Sequence, residues 1–129
     1  MERWSHILVV DGNPYVRELV GLFLQTRACR ITGVADGQAM HEFLRTDDSV
    51  DLVIMDCPGD RSSSDALHVK RLGMPLVIMS GNPDMTVFAV EHGLQMVGKP
   101  FKASQLRAAT EWAVIPQHKS RARLDVHHR

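Results

Sequence analysis

The sequence predicts an α/β fold, a doubly wound parallel sheet of five strands, on three observations. Short apolar runs alternate with segments whose apolar residues recur at helical spacing, the pattern of repeated strand–helix units. The runs are nearly continuous in their hydrophobicity rather than alternating, as strands covered on both faces require. Several of them end on a residue with chemistry of its own: Asp11, Asp56, Ser80 and, after a short fifth run, Lys99.

Taken in order, Ile7-Leu8-Val9-Val10 is the first strand, ending at Asp11. Asn13-Pro14 follows as a turn and helix start, since proline is tolerated in the first helical turn. From Tyr15 to Thr26 the residues Val16, Leu19, Val20, Phe23 and Leu24 recur at helical spacing. Arg30 to Ala35 is a second strand, and Asp36-Gly37 punctuates it. Met40, Phe43 and Leu44 then mark one face of a helix ending near Arg45. Val50 to Met55 is the third strand, ending at Asp56. The stretch Cys57 to Ser64 is rich in turn formers and reads as a loop, leaving a brief helix between Asp65 and Leu72. Pro75 to Met79 is the fourth strand, landing on Ser80-Gly81. Pro83 to His92 is helical, Leu94 to Val97 is the fifth strand, and Lys99-Pro100 closes it. A last helix spans about Ala103 to Ile115, with Leu106, Ala109, Trp112 and Ala113 on one side. One folded domain over residues 1–115 and a flexible basic tail over 116–129 are expected.

Composition narrows the function classes. The chain has 129 residues, 44% hydrophobic and 23% charged, which suits a single globular core. Lys+Arg and Asp+Glu both number 15, so net charge gives no reason to expect a polyanionic partner. The basic tail lacks aromatic interleaving or a DNA-binding motif, and no nucleic-acid partner is expected. Two cysteines, Cys29 and Cys57, make no disulfide framework, so a reducing cytoplasm is the simplest compartment. Cys57 reads as a small buried thiol, having no basic sequence neighbour to lower its pKa. The opening apolar run is too short for a signal peptide or a membrane span.

In open parallel sheets, ligands bind outside the carboxyl ends of the strands where the winding reverses. With a flavodoxin-like (βα)5 order 2-1-3-4-5, the first and third strands are neighbours there, so Asp11 and Asp56 should face each other. Ser80 and Lys99 end the next two strands. Two close carboxylates repel, and Mg²⁺ relieves the repulsion with oxygen ligands. Mg²⁺ and a lysine can together neutralise a phosphoryl group while a hydroxyl donates to it. A carboxylate is also a nucleophile toward phosphorus. Phosphoryl acceptance and a generic anion or nucleotide site both remain open on this reading, because fold alone does not choose.

The motifs themselves resemble the response-regulator receiver family. His6-Ile-Leu-Val-Val-Asp-Gly-Asn-Pro14 resembles its first strand and acidic turn, with Arg17 placed as its members often have it. Asp51-Leu-Val-Ile-Met-Asp56, Pro75-Leu-Val-Ile-Met-Ser-Gly81 and Gly98-Lys-Pro-Phe101 resemble its acceptor, switch and lysine motifs. The resemblance covers roughly residues 6–115 and four motifs in order. It implies Asp56 as phosphoacceptor and Asp11 with Asp56 as the Mg²⁺ acids. Ser80 and Lys99 would contact the phosphoryl group, and proline follows Lys99 through a cis peptide bond. The switch and partner surface would include Ser80, Met96, Lys99 and Pro100, on the face made by the helix from Pro83, the fifth strand and the last helix. A histidine kinase, a phosphotransfer protein or a small acyl phosphate would supply the phosphate, and a downstream protein would read it. Such a domain is not a turnover enzyme; it accepts phosphate by self-catalysed transfer.

Three positions depart from the family pattern. Gly12 stands where a second acid commonly ligates the metal, which implies weaker Mg²⁺ binding; Asp60 and Asp65 are the nearby acids. The loop Cys57-Pro-Gly-Asp60 lacks the usual proline at its fourth position. Met96 stands where the switch often has Tyr or Phe. Gly12 therefore keeps an alternative open: a pseudo-receiver that binds partners without accepting phosphate. The bland reading of Asp11 is a cap for the helix at Pro14.

Overall fold

The computed structural model describes residues 4–25 and 29–113. Strands and helices alternate: β1 (His6–Val10), α1 (Pro14–Leu24), β2 (Arg30–Val34), α2 (Gly37–Thr46), β3 (Leu52–Asp56), α3 (Asp60–Arg71), β4 (Leu76–Ser80), α4 (Asp84–Glu91) and β5 (Gln95–Gly98). A fifth helix, α5, covers residues 103–113 of the described chain. The strands form one sheet in the order β2-β1-β3-β4-β5, every pair parallel. The expected order is the observed one, and β1 and β3 are neighbours.

The continuous apolar runs are explained by what covers them. Leu8 and Val10 face one side with Val53, Met55, Leu76 and Ile78, beneath Met40 of α2, Ala66 and Val69 of α3, and Met85 and Ala89 of α4. Ile7 and Val9 face the other side with Leu52, Ile54, Val77 and Met79, beneath Val20 of α1 and Leu106, Ala109 and Ala113 of α5. All the sheet residues named are at most 3% exposed, so each of the larger ones contributes about 1.5–3 kcal/mol of transfer free energy. The two edge strands, β2 and β5, are only partly buried.

Four expectations are corrected. The helix after β3 is not brief: α3 starts at Asp60 and runs for 12 residues, so the loop is only Cys57 to Gly59. The Gly59 carbonyl accepts from the Ser62 and Ser63 hydroxyls, and Ala66 and Val69 are fully buried, so packing overrides the turn-forming composition. β3 begins at Leu52, because the Asp51 carboxylate accepts from the backbone N–H of Ser5 and His6. Trp112 is 57% exposed and not on the buried side of α5, and Leu19 of α1 is 40% exposed. The tail 116–129, the end of the last helix at Ile115 and Thr26 lie outside the described residues.

Candidate functional site

β1 delivers Asp11 to the carboxyl edge of the sheet, where it is 3% exposed. Each of its polar groups is engaged. Its N–H donates to Val34 O at 3.1 Å, and its carbonyl accepts from Arg17 Nη1 at 2.6 Å. Its Oδ1 accepts from Asn13 N at 2.8 Å, and its Oδ2 accepts from Lys99 Nζ at 2.7 Å. The helix cap is Asn13, whose side chain accepts from Tyr15 N at 2.9 Å with proline starting the helix. Asp11 is thus free of the capping role and committed to the crevice.

The neighbouring strand brings Asp56 to the same point, and Lys99 Nζ donates to its Oδ1 at 2.9 Å. One ammonium therefore bridges carboxylates that lie 88 and 43 residues away in sequence. Burial pulls the Lys99 ammonium down, but hydrogen bonds to Asp11 and Asp56 and their charges outweigh it and hold its pKa above the ordinary value. Lys99 is itself anchored, its N–H donating to Ser80 O at 2.8 Å, and its peptide bond to Pro100 is cis as expected.

Ser80 ends β4 and is 1% exposed. Its Oγ accepts from Asn82 N at 3.0 Å, which leaves the hydroxyl proton available to donate. Asn82 also donates from Nδ2 to Pro58 O at 3.2 Å, joining the loops after β3 and β4 beside the crevice. Met96 is half-buried against the core under α4, and its partner across the sheet is Ile78, two residues before Ser80. No aromatic side chain stands at that place.

The two carboxylates fit a Mg²⁺ ion that keeps most of its waters, a mode in which one or two acids suffice. Among the described residues no group of three His, Cys, Asp or Glu side chains could hold a metal. A Cβ at Gly12 would meet only Ala35 O, at 3.7 Å, so nothing in the packing forbids a side chain there. Asp65 does not take up the lost role. Its Oδ1 pairs with His41 Nε2 at 2.8 Å, and its carboxylate lies so close to Gly37 that a Cβ there would collide. Cys57 is fully buried, and burial pushes its thiol up to about 12, which excludes a reactive thiolate.

Of the sequence-derived residues, Asp11, Asp56 and Lys99 are directly bonded and Ser80 sits one strand away with its hydroxyl engaged by Asn82. Asn13 and Asn82 were missed as parts of the site. Their sequence signal is Asn before proline two residues past a site residue, Asp11 in one case and Ser80 in the other.

Residues 7–111 match the response regulator receiver domain family. The regulatory protein VirG of Agrobacterium fabrum is 29% identical over 116 residues, covering 83% of this chain and 45% of that protein. The chain spans about half the length of the curated relatives it matches. Among solved structures, the signal receiver domain of an HD domain-containing protein from Pseudomonas fluorescens Pf-5 superposes with a TM-score of 0.75 at 20% identity, covering 91% of this chain and 99% of that one. NtrX from Brucella abortus superposes with a TM-score of 0.77 at 25% identity, covering 95% of this chain and 29% of that one. No described helix is long and apolar enough to cross a membrane.

Proposed function

Because the chain belongs to the response regulator receiver family, we propose that it accepts a phosphoryl group on Asp56 and signals through protein–protein contacts. The observation that carries this reading is the Lys99 ammonium held at 2.7 and 2.9 Å between Asp11 and Asp56, at the end of the strand next to Ser80.

Lys99 engages Oδ1 of Asp56, and among the described residues no hydrogen bond reaches Oδ2. That oxygen is the nucleophile. It attacks the phosphorus of an acyl phosphate or phosphohistidine, the bond to the leaving group breaks, and the departing group keeps the electron pair. The Lys99 ammonium meets the charge on the transferred oxygens, and the Ser80 hydroxyl, already accepting from Asn82 N, donates its proton to one of them. Mg²⁺, when bound, would be held by Asp11 and Asp56 and would offset the phosphoryl charge. The transfer is stoichiometric and self-catalysed, so the domain is not a turnover enzyme.

The donor on this reading is a cytoplasmic histidine kinase or phosphotransfer protein. The reader is a downstream protein that meets α4, β5 and α5, where Val87, Val90 and Trp112 are exposed. A second reading, a pseudo-receiver that binds partners without taking phosphate, is supported by Gly12 and by an acid pair whose charge Lys99 already offsets. Intact mass after incubation with MgCl₂ and acetyl phosphate separates the two. One phosphoryl adduct on the wild type and none on Asp56→Asn is the expected result. An equal adduct on both proteins refutes Asp56 as acceptor; no adduct on a folded wild type, with a control receiver labelled, selects the pseudo-receiver.

A further inference from the structure

Position 12 has no side chain to pack, and it directly follows the buried acid that Lys99 must find. A glycine there leaves the turn between β1 and α1 with the largest backbone freedom any residue allows. Within the turn Asn13 N holds the Asp11 carboxylate, and the Asp11 carbonyl takes its partner from outside it. Arg17, one turn into α1, reaches back and donates from Nη1 to the Asp11 carbonyl at 2.6 Å. It can do so because it crosses the edge strand at Gly33: a Cβ on that residue would stand 3.0 Å from Arg17 Cδ and 3.4 Å from Nε. Gly33 lies opposite Val9 in the β1–β2 register, two residues before Asp11. The guanidinium is thus laid in a track made by a missing side chain on β2 and ends on the one backbone acceptor that precedes the unsupported glycine.

We infer that Arg17, seated over Gly33, is a positioning residue that holds Asp11 against Lys99 beside the side-chain-free turn at Gly12. The arginine touches neither Asp56 nor Lys99; it acts through the Asp11 backbone. A carbonyl fixed from one side and an N–H fixed by Val34 from the other hold the Asp11 backbone, and Asn13 N on Oδ1 then turns the other carboxylate oxygen to the ammonium. Removing the arginine frees the carbonyl and lets the Gly12 turn open.

The inference concerns the geometry of Asp11 and rests on the proposed function only for its consequence, so two readouts keep the failures apart. The first is amide hydrogen exchange at Asp11 and Asn13, whose N–H groups donate to Val34 O and Asp11 Oδ1. In Arg17→Ala both should exchange at least about tenfold faster, while amides of β3 and β4 keep their wild-type rates. Gly33→Val, which pushes the arginine off its track without touching its charge, should give the same local pattern. Gly12→Ala has room and needs no unusual backbone angle. It stiffens the turn, so adding it to Arg17→Ala should return part of the protection. The second readout is the rate of adduct formation with acetyl phosphate, expected to fall in Arg17→Ala and to recover partly with Gly12→Ala. Wild-type exchange at Asp11 and Asn13 in both Arg17→Ala and Gly33→Val overturns the inference, as does a uniform rise across the whole sheet. No adduct on the wild type or on any variant, with a control receiver labelled and the local exchange pattern present, upholds the positioning role and refutes phosphoryl acceptance instead.

Discussion

Replacing Lys99 by Met removes the cation that bonds both carboxylates and keeps an unbranched apolar stem of similar length. Asp11 is 3% exposed and Asp56 26%, and both oxygens lie within hydrogen-bond distance of the same nitrogen. Without the ammonium, two charges about 5 Å apart repel by about 3 kcal/mol at an effective dielectric of 20, against about 0.8 kcal/mol in water. The crevice is open on the Asp56 side, so water relieves part of this, and a net loss of about 2–3 kcal/mol is expected. At this chain length that lowers Tm by about 10 °C. Two controls tie the loss to charge. In the double variant Asp56→Asn with Lys99→Met part of the stability should return, because the repulsion is gone while the buried Asp11 charge stays unpaired. MgCl₂ should also stabilise Lys99→Met more than the wild type, since the metal no longer competes with the ammonium. With a Kd on the order of 1 mM, 10 mM Mg²⁺ would return about 1.4 kcal/mol. The assay is urea or thermal unfolding followed by circular dichroism, with and without Mg²⁺. A Tm within about 2 °C of wild type, or a loss that neither control recovers, would refute the argument that Lys99 neutralises the pair.

Gly12→Asp adds a carboxylate where the packing has room, and Mg²⁺ affinity by titration calorimetry should rise about tenfold or more; an unchanged Kd counts against the glycine as the weak point. His6 is 2% exposed at the opposite end of β1, its Nδ1 accepting from Arg30 at 2.9 Å and its Nε2 facing Thr32 Oγ1 at 2.7 Å. Burial and then the Arg30 charge lower its pKa below 6.5, against weaker pulls from Asp47 and Asp51. The unfolded chain therefore binds this proton more readily. His6 contributes stability in full above pH 6.5 and loses it as pH falls below that value, and His6→Gln should flatten the urea midpoint between pH 7.5 and 5.5; equal slopes in both proteins would exclude His6 as the source. Cys57, with its thiol near 12, should stay unmodified by iodoacetamide at pH 7 in the native protein and react once urea exposes it, as peptide mapping would report; native labelling at Cys57 would contradict its burial.

The sequence by itself determined the fold class and grouped the residues of the candidate site. Strands buried on both faces need apolar residues at successive positions, so Ile7–Val10, Val50–Met55 and Pro75–Met79 announce a covered parallel sheet without knowledge of what covers them. Each strand's carboxyl end follows from where its run stops, and the strand order brings those ends together, so Asp11, Asp56, Ser80 and Lys99 were legible as one group. What stayed hidden depends on contacts between distant segments. The start of α3 at Asp60 could not be read from Gly-Asp-Arg-Ser-Ser-Ser, because the helix there is held by Ala66 and Val69 in the core rather than by local propensity. Asp65 looked like a candidate third acid from its position, yet its partner is His41, 24 residues earlier on another helix. Trp112 shares the helical phase of buried neighbours but faces out, since periodicity sets an arc and packing sets its edge. The tertiary structure alone decided that Asn13, not Asp11, caps α1, that Asn82 rather than an acceptor oxygen engages Ser80, and that Arg17 reaches Asp11 across Gly33. Hydrogen bonds are satisfied in three dimensions by whichever donor arrives. Local pattern names the groups a strand end presents, and only the closed fold settles which of them meet.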